Sequence, residues 1–251
     1  MSKNTHDDTA KLMNTFTTDG FFWQLLPSSL GIKVWLTDLS ALPSHEAYQL
    51  LSPSEQKRAY RLKNDQVRAQ YINAHAGLRR LLGEQTGTSA YSYEFQAGDF
   101  GKPCLAGPQP LHFNLSHSHH RALVAMSHEG PVGVDIERVQ PMPDISDAVQ
   151  SHFTPAERLQ WATLPEVDQT KAFYQIWTRK EACVKALGWG LNVPLDRIEV
   201  GSAGPPKPLF VEFPSGSRFQ LWLESLPIDS GWAAALARME SAKTAPEPSP
   251  P

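Results

Sequence analysis

Two carboxylates, Asp135 and Glu137, alternate with two β-branched residues in the run Gly133-Val134-Asp135-Ile136-Glu137. Side chains of a β-strand repeat every two residues, so the acids share one face while Val134 and Ile136 share the other. Like charges about 7 Å apart on a strand repel and favour a cation between them. The simplest is Mg²⁺, with Mn²⁺ as the alternative ion, because it takes one or two carboxylates and fills its octahedron with water and phosphate oxygens. For this run taken alone, a solvated strand face carrying two acids is the favoured reading.

A second set lies in Phe173–Gly188, where Trp177, Glu181 and Lys185 recur every four residues and fall on one helix face. An i,i+4 ion pair beside a core tryptophan is the plain reading of that spacing. Taken with the strand, Asp135, Glu137 and Glu181 form a candidate Mg²⁺ triad flanked by Lys180 and Lys185, a set suited to a pyrophosphate. A third set is Phe113-Asn114-Leu115-Ser116-His117-Ser118-His119-His120, in a stretch (112–128) that holds five of the nine histidines. Neither paired cysteines nor an HExxH helix accompanies them, which disfavours zinc. Ser116 and His117 at a strand end are read instead as donors to an anion, and Gly101-Lys102-Pro103 adds a turn with a cation just upstream. The fourth is a basic run, Lys57, Arg58, Arg61, Lys63, Arg68, Arg79 and Arg80, with a local balance of +5 in a chain of net charge −3. Such a run is either a solvated helix face or a phosphate-binding patch.

An internal repeat positions these sets. Ser52-Pro53-Ser54-Glu55 and Thr154-Pro155-Ala156-Glu157, 102 residues apart, share a hydroxyl N-cap, a proline at the first helical position and a glutamate closing a capping box. At the same offset Gly31-Ile32-Lys33-Val34-Trp35 matches Gly133 to Glu137, with Lys33 and Trp35 where the second copy has its acids. The helix ending Leu82-Gly83 matches the one ending Leu187-Gly188, with glycine the expected C-cap of each. That match sets His75, Ala76 and Arg80 against Lys180, Glu181 and Lys185, so the helix carboxylate also belongs to the second copy alone. Each copy then closes on two alternating strands, over 111–115 and 122–126 and over 219–223 and 233–237. The expected fold class is α+β, two similar α/β subdomains related by a pseudo-twofold. Their expected bounds are 20–130 and 131–240, between mobile ends at 1–19 and at the proline-rich 241–251. The seam between the halves is the expected place for a ligand.

With 251 residues, 41% apolar and 20% charged, the chain has enough apolar material for one large core or two small ones. A net charge of −3 argues against general attraction to nucleic acid or to anionic membranes. No apolar run approaches the roughly 18 residues of a spanning helix, and the first residues lack the apolar core of a signal peptide, so a cytoplasmic protein is expected. Cys104 and Cys183, far apart and outside any CxxC pair, are expected to be buried thiols.

GKP (101–103), FNLSHS (113–118), GVDIE (133–137), FTPAE (153–157) and WTRKEACVKALGWGL (177–191), in that order, resemble the 4'-phosphopantetheinyl transferases. Within that family the likeness is to the larger, monomeric Sfp-type class of two similar halves, and it runs from about Ser52 to Val200. The resemblance implies Mg²⁺-dependent transfer of phosphopantetheine from coenzyme A to a serine of an acyl or peptidyl carrier protein, releasing adenosine 3',5'-bisphosphate. It implies that Asp135, Glu137 and Glu181 hold the metal, that Glu181 instead or also takes the serine proton, and that Lys185 neutralises the leaving phosphate with support from Lys180. Gly101, Lys102, Pro103, Asn114, Ser116, His117 and Asp135 correspond to coenzyme A contacts, and Lys57, Arg58 and Arg61 fall in the region of the 3'-phosphate patch. Glu157 also lies in a family motif, but its capping-box position supplies a structural reason for it. His119-His120 departs from the small residue that many members carry after SHS. Two other readings use the same residues: a Mg²⁺-dependent nucleotide pyrophosphate hydrolase with water as nucleophile, and a non-catalytic coenzyme A or carrier-binding module. The intact triad and Lys185 argue against the last.

Overall fold

The computed structural model describes residues 15–18, 21–98, 101–105, 111–190, 194–204, 206–212 and 216–240. The expected mobile ends lie outside the described residues except for 15–18, which form a strand. One sheet has the spatial order β1 (Thr15–Thr18), β2 (Phe21–Leu26), β3 (Lys33–Asp38), β7 (Arg121–Ser127), β6 (His112–Ser118), antiparallel throughout. A second has the order β8 (Val132–Arg138), β11 (Trp232–Met239), β10 (Arg218–Ser225), β9 (Lys207–Glu212). A separate ribbon pairs β4 (Phe95–Ala97) with β5 (Pro103–Leu105).

Alternation along the strands decides the layering. Val34, Leu123 and Ala125 of the first sheet share one apolar cluster with Val134, Ile136, Ala234 and Leu236 of the second, so the sheets stack face to face. The residues of the opposite phase, Trp35, Val124 and Met126, pack on α3 (Asp65–Thr86), and Ala233, Ala235 and Ala237 pack on α6 (Glu166–Leu187). The molecule is therefore layered helix, sheet, sheet, helix, an α+β architecture. The shorter helices are α1 (His45–Leu50), α2 (Pro53–Arg61), α4 (Ile145–His152) and α5 (Pro155–Ala162). Both capping boxes are complete, on Ser52 and Glu55 for α2 and on Thr154 and Glu157 for α5.

Both long helices span 22 residues and end on a left-handed glycine, Gly87 at φ 70° and Gly188 at φ 73°. The first cap is thus Gly87 rather than the expected Gly83, which lies inside the helix. A Cβ on Gly83 would stand 2.9 Å from the Thr88 carbonyl oxygen, so glycine is needed where the chain folds back on the helix. The cysteines also divide. Cys183 is buried, and burial pushes its thiol up to about 12. Cys104 is exposed, contrary to expectation, because the β4–β5 ribbon lies on the surface, where its thiol donates to Gln96 O at 3.4 Å.

Candidate functional site

β6 and β8 are edge strands of different sheets, and side chains rather than a backbone ladder join them. Val134 N–H donates to Asn114 Oδ1 at 2.8 Å, and Ser116 Oγ donates to Asp135 Oδ1 at 2.8 Å. Ser118 Oγ donates to Glu137 Oε2 at 2.7 Å and accepts the Arg138 N–H at 3.3 Å. Period two on β6 therefore meets period two on β8, and each acid receives a serine. Above β8 lies α6, brought down to backbone contact by Gly133. A Cβ there would fall 2.1 Å from Ala182 O and 2.3 Å from Ala186 N, so any side chain would lift the helix.

This close packing sets Lys185 Nζ 2.5 Å from Asp135 Oδ1 and 3.0 Å from Ser116 Oγ. Trp177, Glu181 and Lys185 line a cavity of about 300 Å³ together with Ser116, His117, Asp135 and Glu137. Its balance is three carboxylates against one ammonium. Burial pushes the Glu137 carboxyl up, against its Ser118 hydrogen bond and with the Asp135 charge adding to the rise. Burial and then Asp135 push Glu181 up as well, with Lys185 opposing. Asp135 is 3% exposed, and its Oδ2 is buried with no hydrogen-bond partner. An oxygen-only donor set with an orphan carboxylate oxygen and too little positive charge fits a hard divalent cation. Among the described residues no three His, Cys, Asp or Glu side chains are gathered as tightly as a bound ion requires; the Lys185 ammonium stands against Asp135 instead.

Leu115 and His117 also line a larger cavity of about 520 Å³, so the two spaces share a wall. Its wall includes Glu55, His75, Tyr93, Phe95 and Phe113. Burial raises the Glu55 carboxyl, but the His75 bond, the Ser52 N–H and the Arg79 charge outweigh it and bring it to about 2. His117 is held below the usual imidazole range by desolvation first, then by His75, Lys185 and Arg58. Arg58 itself sits 5.8 Å over the Tyr71 ring.

Of the residues expected to act together, Asp135, Glu137, Glu181, Lys185, Ser116 and His117 meet at the smaller cavity. Pro103 and Asn114 line the larger one, with the Asn114 oxygen already taken by Val134. The others line neither cavity, and for Lys180 and Lys102 their partners correct the expected phosphate contact. Lys180 stands about 100° round the helix from Glu181 and so faces the core: it is fully buried, 2.7 Å from Glu157, and donates to Leu195 O at 2.7 Å and Ile198 O at 2.5 Å. Lys102 turns away from both cavities and donates to Val132 O at 2.7 Å and Lys185 O at 2.6 Å. Gly101 is an exposed turn residue at φ 84°, and Lys57 and Arg61 are exposed on α2 without lining either cavity. Ser118 was not expected, although its place two residues after Ser116 matches the spacing of the two acids.

The stretch that carries β8 and α6 is matched by the 4'-phosphopantetheinyl transferase superfamily, over residues 131–237. The chain is 34% identical over 170 residues to slr0495 of Synechocystis sp., a provisionally named 4'-phosphopantetheinyl transferase, covering 66% of this chain and 68% of that one. To the 4'-phosphopantetheinyl transferase HetI of Nostoc sp. it is 33% identical over 153 residues, 60% of this chain and 64% of the relative. To the transferase Sfp of Bacillus subtilis it is 24% identical over 198 residues, 79% and 86% of the two chains. A relative matched at 34% identity over 68% of its length, together with the superfamily match across β8 and α6, makes this chain a transferase of the 4'-phosphopantetheinyl transferase superfamily.

Proposed function

We propose that the protein converts apo to holo carrier proteins by moving 4'-phosphopantetheine from coenzyme A to a carrier serine, with Mg²⁺ or Mn²⁺ at the smaller cavity. The observation that carries this is the meeting of Asp135, Glu137, Glu181 and Lys185 in one cavity beside a larger, mixed-polarity one. Asp135, Glu137 and Glu181 would hold the cation, which supplies charge neutralisation on the pyrophosphate oxygens. The serine Oγ bonds to the phosphorus bearing the pantetheine, the bond from that phosphorus to the bridging oxygen breaks, and adenosine 3',5'-bisphosphate leaves with the electron pair. Lys185 places an ammonium where that negative charge grows. Glu181, on the same wall as Lys185, would instead or also receive the serine proton. Ser116 and Ser118 hold Asp135 and Glu137 in position, and His117, on the wall shared by both cavities, faces the coenzyme A phosphates.

On this reading the chain divides at about residue 130 into two halves, with the metal in the second. It works as a cytoplasmic monomer, since both sides of the seam come from one chain. Among the described residues no helix is long and apolar enough to cross a membrane. The test is the intact mass of an apo carrier protein after incubation with this protein, coenzyme A and Mg²⁺, with a chelator control. A metal-dependent gain of one phosphopantetheine is expected. Coenzyme A cleavage without any gain on several carriers would replace the reading with a hydrolase.

A further inference from the structure

The ammonium of Lys102 lies where the two elements of the smaller cavity come closest. Its partners are the carbonyl of Val132, the first residue of β8, and the carbonyl of Lys185, in the last turn of α6. That turn is short of donors: α6 ends at Leu187, and the capping Gly188 N–H goes to Val184 O. The Lys185 carbonyl is therefore one of the orphan acceptors of a helix C-terminus, where a cation also complements the helix dipole. The Lys102 stem passes along the cap, its Cδ 3.6 Å from where a Cβ on Gly188 would sit. At its other end the residue is fastened by its backbone. Gly98 N–H donates to Lys102 O at 2.8 Å, Gly101 N–H donates to Gly98 O at 2.8 Å, and the following Pro103 holds Lys102 extended.

We propose that Lys102 is a positioning residue for the smaller cavity: by binding both carbonyls with one ammonium from the β4–β5 ribbon, it sets the spacing of β8 and α6 on which the Lys185–Asp135 contact depends. The side chain of Lys185 reaches Asp135, three residues along β8 from Val132, while its own carbonyl is held by Lys102. A shift of α6 along β8 would thus break both contacts together. Among the described residues no carboxylate pairs with Lys102, and burial lowers its pKa to about 8. A buried ammonium held by carbonyls alone is costly, which suits a clamp better than general stabilisation. Lys102 lines a third cavity of about 190 Å³, beside Leu187 and Gly188, and neither of the other two.

The inference rests on the proposed transfer for its kinetic arm, so the test has a second arm that needs no turnover. In the full-length protein Lys102→Met is compared with wild type and with Lys102→Arg. Limited acetylation mapped by peptide mass reads the freedom of the Lys185 amine, and steady-state transfer and coenzyme A binding are measured alongside. Lys185 labelling in Lys102→Met is expected to rise, and kcat to fall about tenfold to a hundredfold, as for a small misplacement of a catalytic group. Coenzyme A affinity is expected to stay within about twofold, the range of an untouched contact, and Lys102→Arg, which can still bridge two carbonyls, to recover most of the rate and the protection. Unchanged Lys185 labelling overturns the proposal whether or not the wild type transfers. So does weakened coenzyme A binding at constant kcat, which would make Lys102 a ligand contact, and so does a lowered melting temperature with labelling and kcat unchanged. If Lys102→Met does not fold, Lys102→Gln takes its place in every arm.

Discussion

In the first half Glu55 closes its capping box on Ser52 and holds His75 at 2.8 Å and Arg79 at 2.9 Å, and its neighbourhood stays open as the larger cavity. In the second half Glu157 closes the same box on Thr154 and holds Lys180 at 2.7 Å, but there the chain returns and covers it. Val200 N–H and Gly201 N–H donate to Glu157 at 2.8 and 3.2 Å, and Arg179 ties the same segment down through Val200 O. One local motif thus borders a ligand-sized space at Glu55 and a sealed polar core at Glu157. The difference lies in a segment far along the chain, not in the motif.

The acids follow the same asymmetry, and the largest expected effect tests it. Asp135→Asn should lower carrier modification about 10³-fold, roughly 4 kcal/mol of barrier. Lys33→Ala, at the matching strand position and bonded to Gln85 at an exposed site, should stay within about twofold, the ordinary reach of a surface change. Comparable losses in both would end the claim that the halves differ in chemistry; transfer assays with a melting curve for each variant decide it.

Stability should separate the two glutamates next. Glu157 is 1% exposed and Lys180 fully buried, so Glu157→Gln strands a charge and should cost about 3–4 kcal/mol in urea unfolding. Glu55→Gln should cost less, about 1–2 kcal/mol, because position 55 lines an open cavity that water can enter and Arg79 keeps its bond to Tyr93 O. Equal costs would mean that the first-half site is as sealed as the second.

The smallest effect is the acid limb of the stability curve. Glu55 has its folded pKa lowered to about 2 from an ordinary 4.5, so its stabilisation is complete above pH 4.5 and is lost as pH falls toward 2. The loss is at most about 3 kcal/mol. Glu55→Gln should flatten that limb between these two values relative to wild type, and an unaltered slope would remove Glu55 from the account.

Much of this geometry was legible in the residues, for reasons that also mark where reading stops. Both capping boxes, the alternation on β8 and the Trp177, Glu181, Lys185 face follow from local periodicity, and the structure sets those three side chains on one cavity. Lys180 was misjudged because adjacency in sequence is a large rotation on a helix, and only the packing of 194–201 shows what that second face meets. Lys102 was read from its motif, and its partners are carbonyls, which carry no side-chain signature. Gly133 is a glycine in a strand whose need appears only when α6 is laid across it. Short strands such as β4 and β5, three residues each, offer too few residues for a period to show.

The serines of β6 reach carboxylates only 19 residues ahead of them, whereas Lys185 reaches Asp135 across 50. Closing a short loop costs less chain entropy than closing a long one, and contacts near in sequence form faster. The acid-bearing edge of the cavity should therefore assemble early in folding, before the helix that completes it. Pulse-labelled hydrogen exchange should find the Val134 amide protected ahead of the Gly188 amide, and the reverse order would mean that α6 docks first and templates the strand.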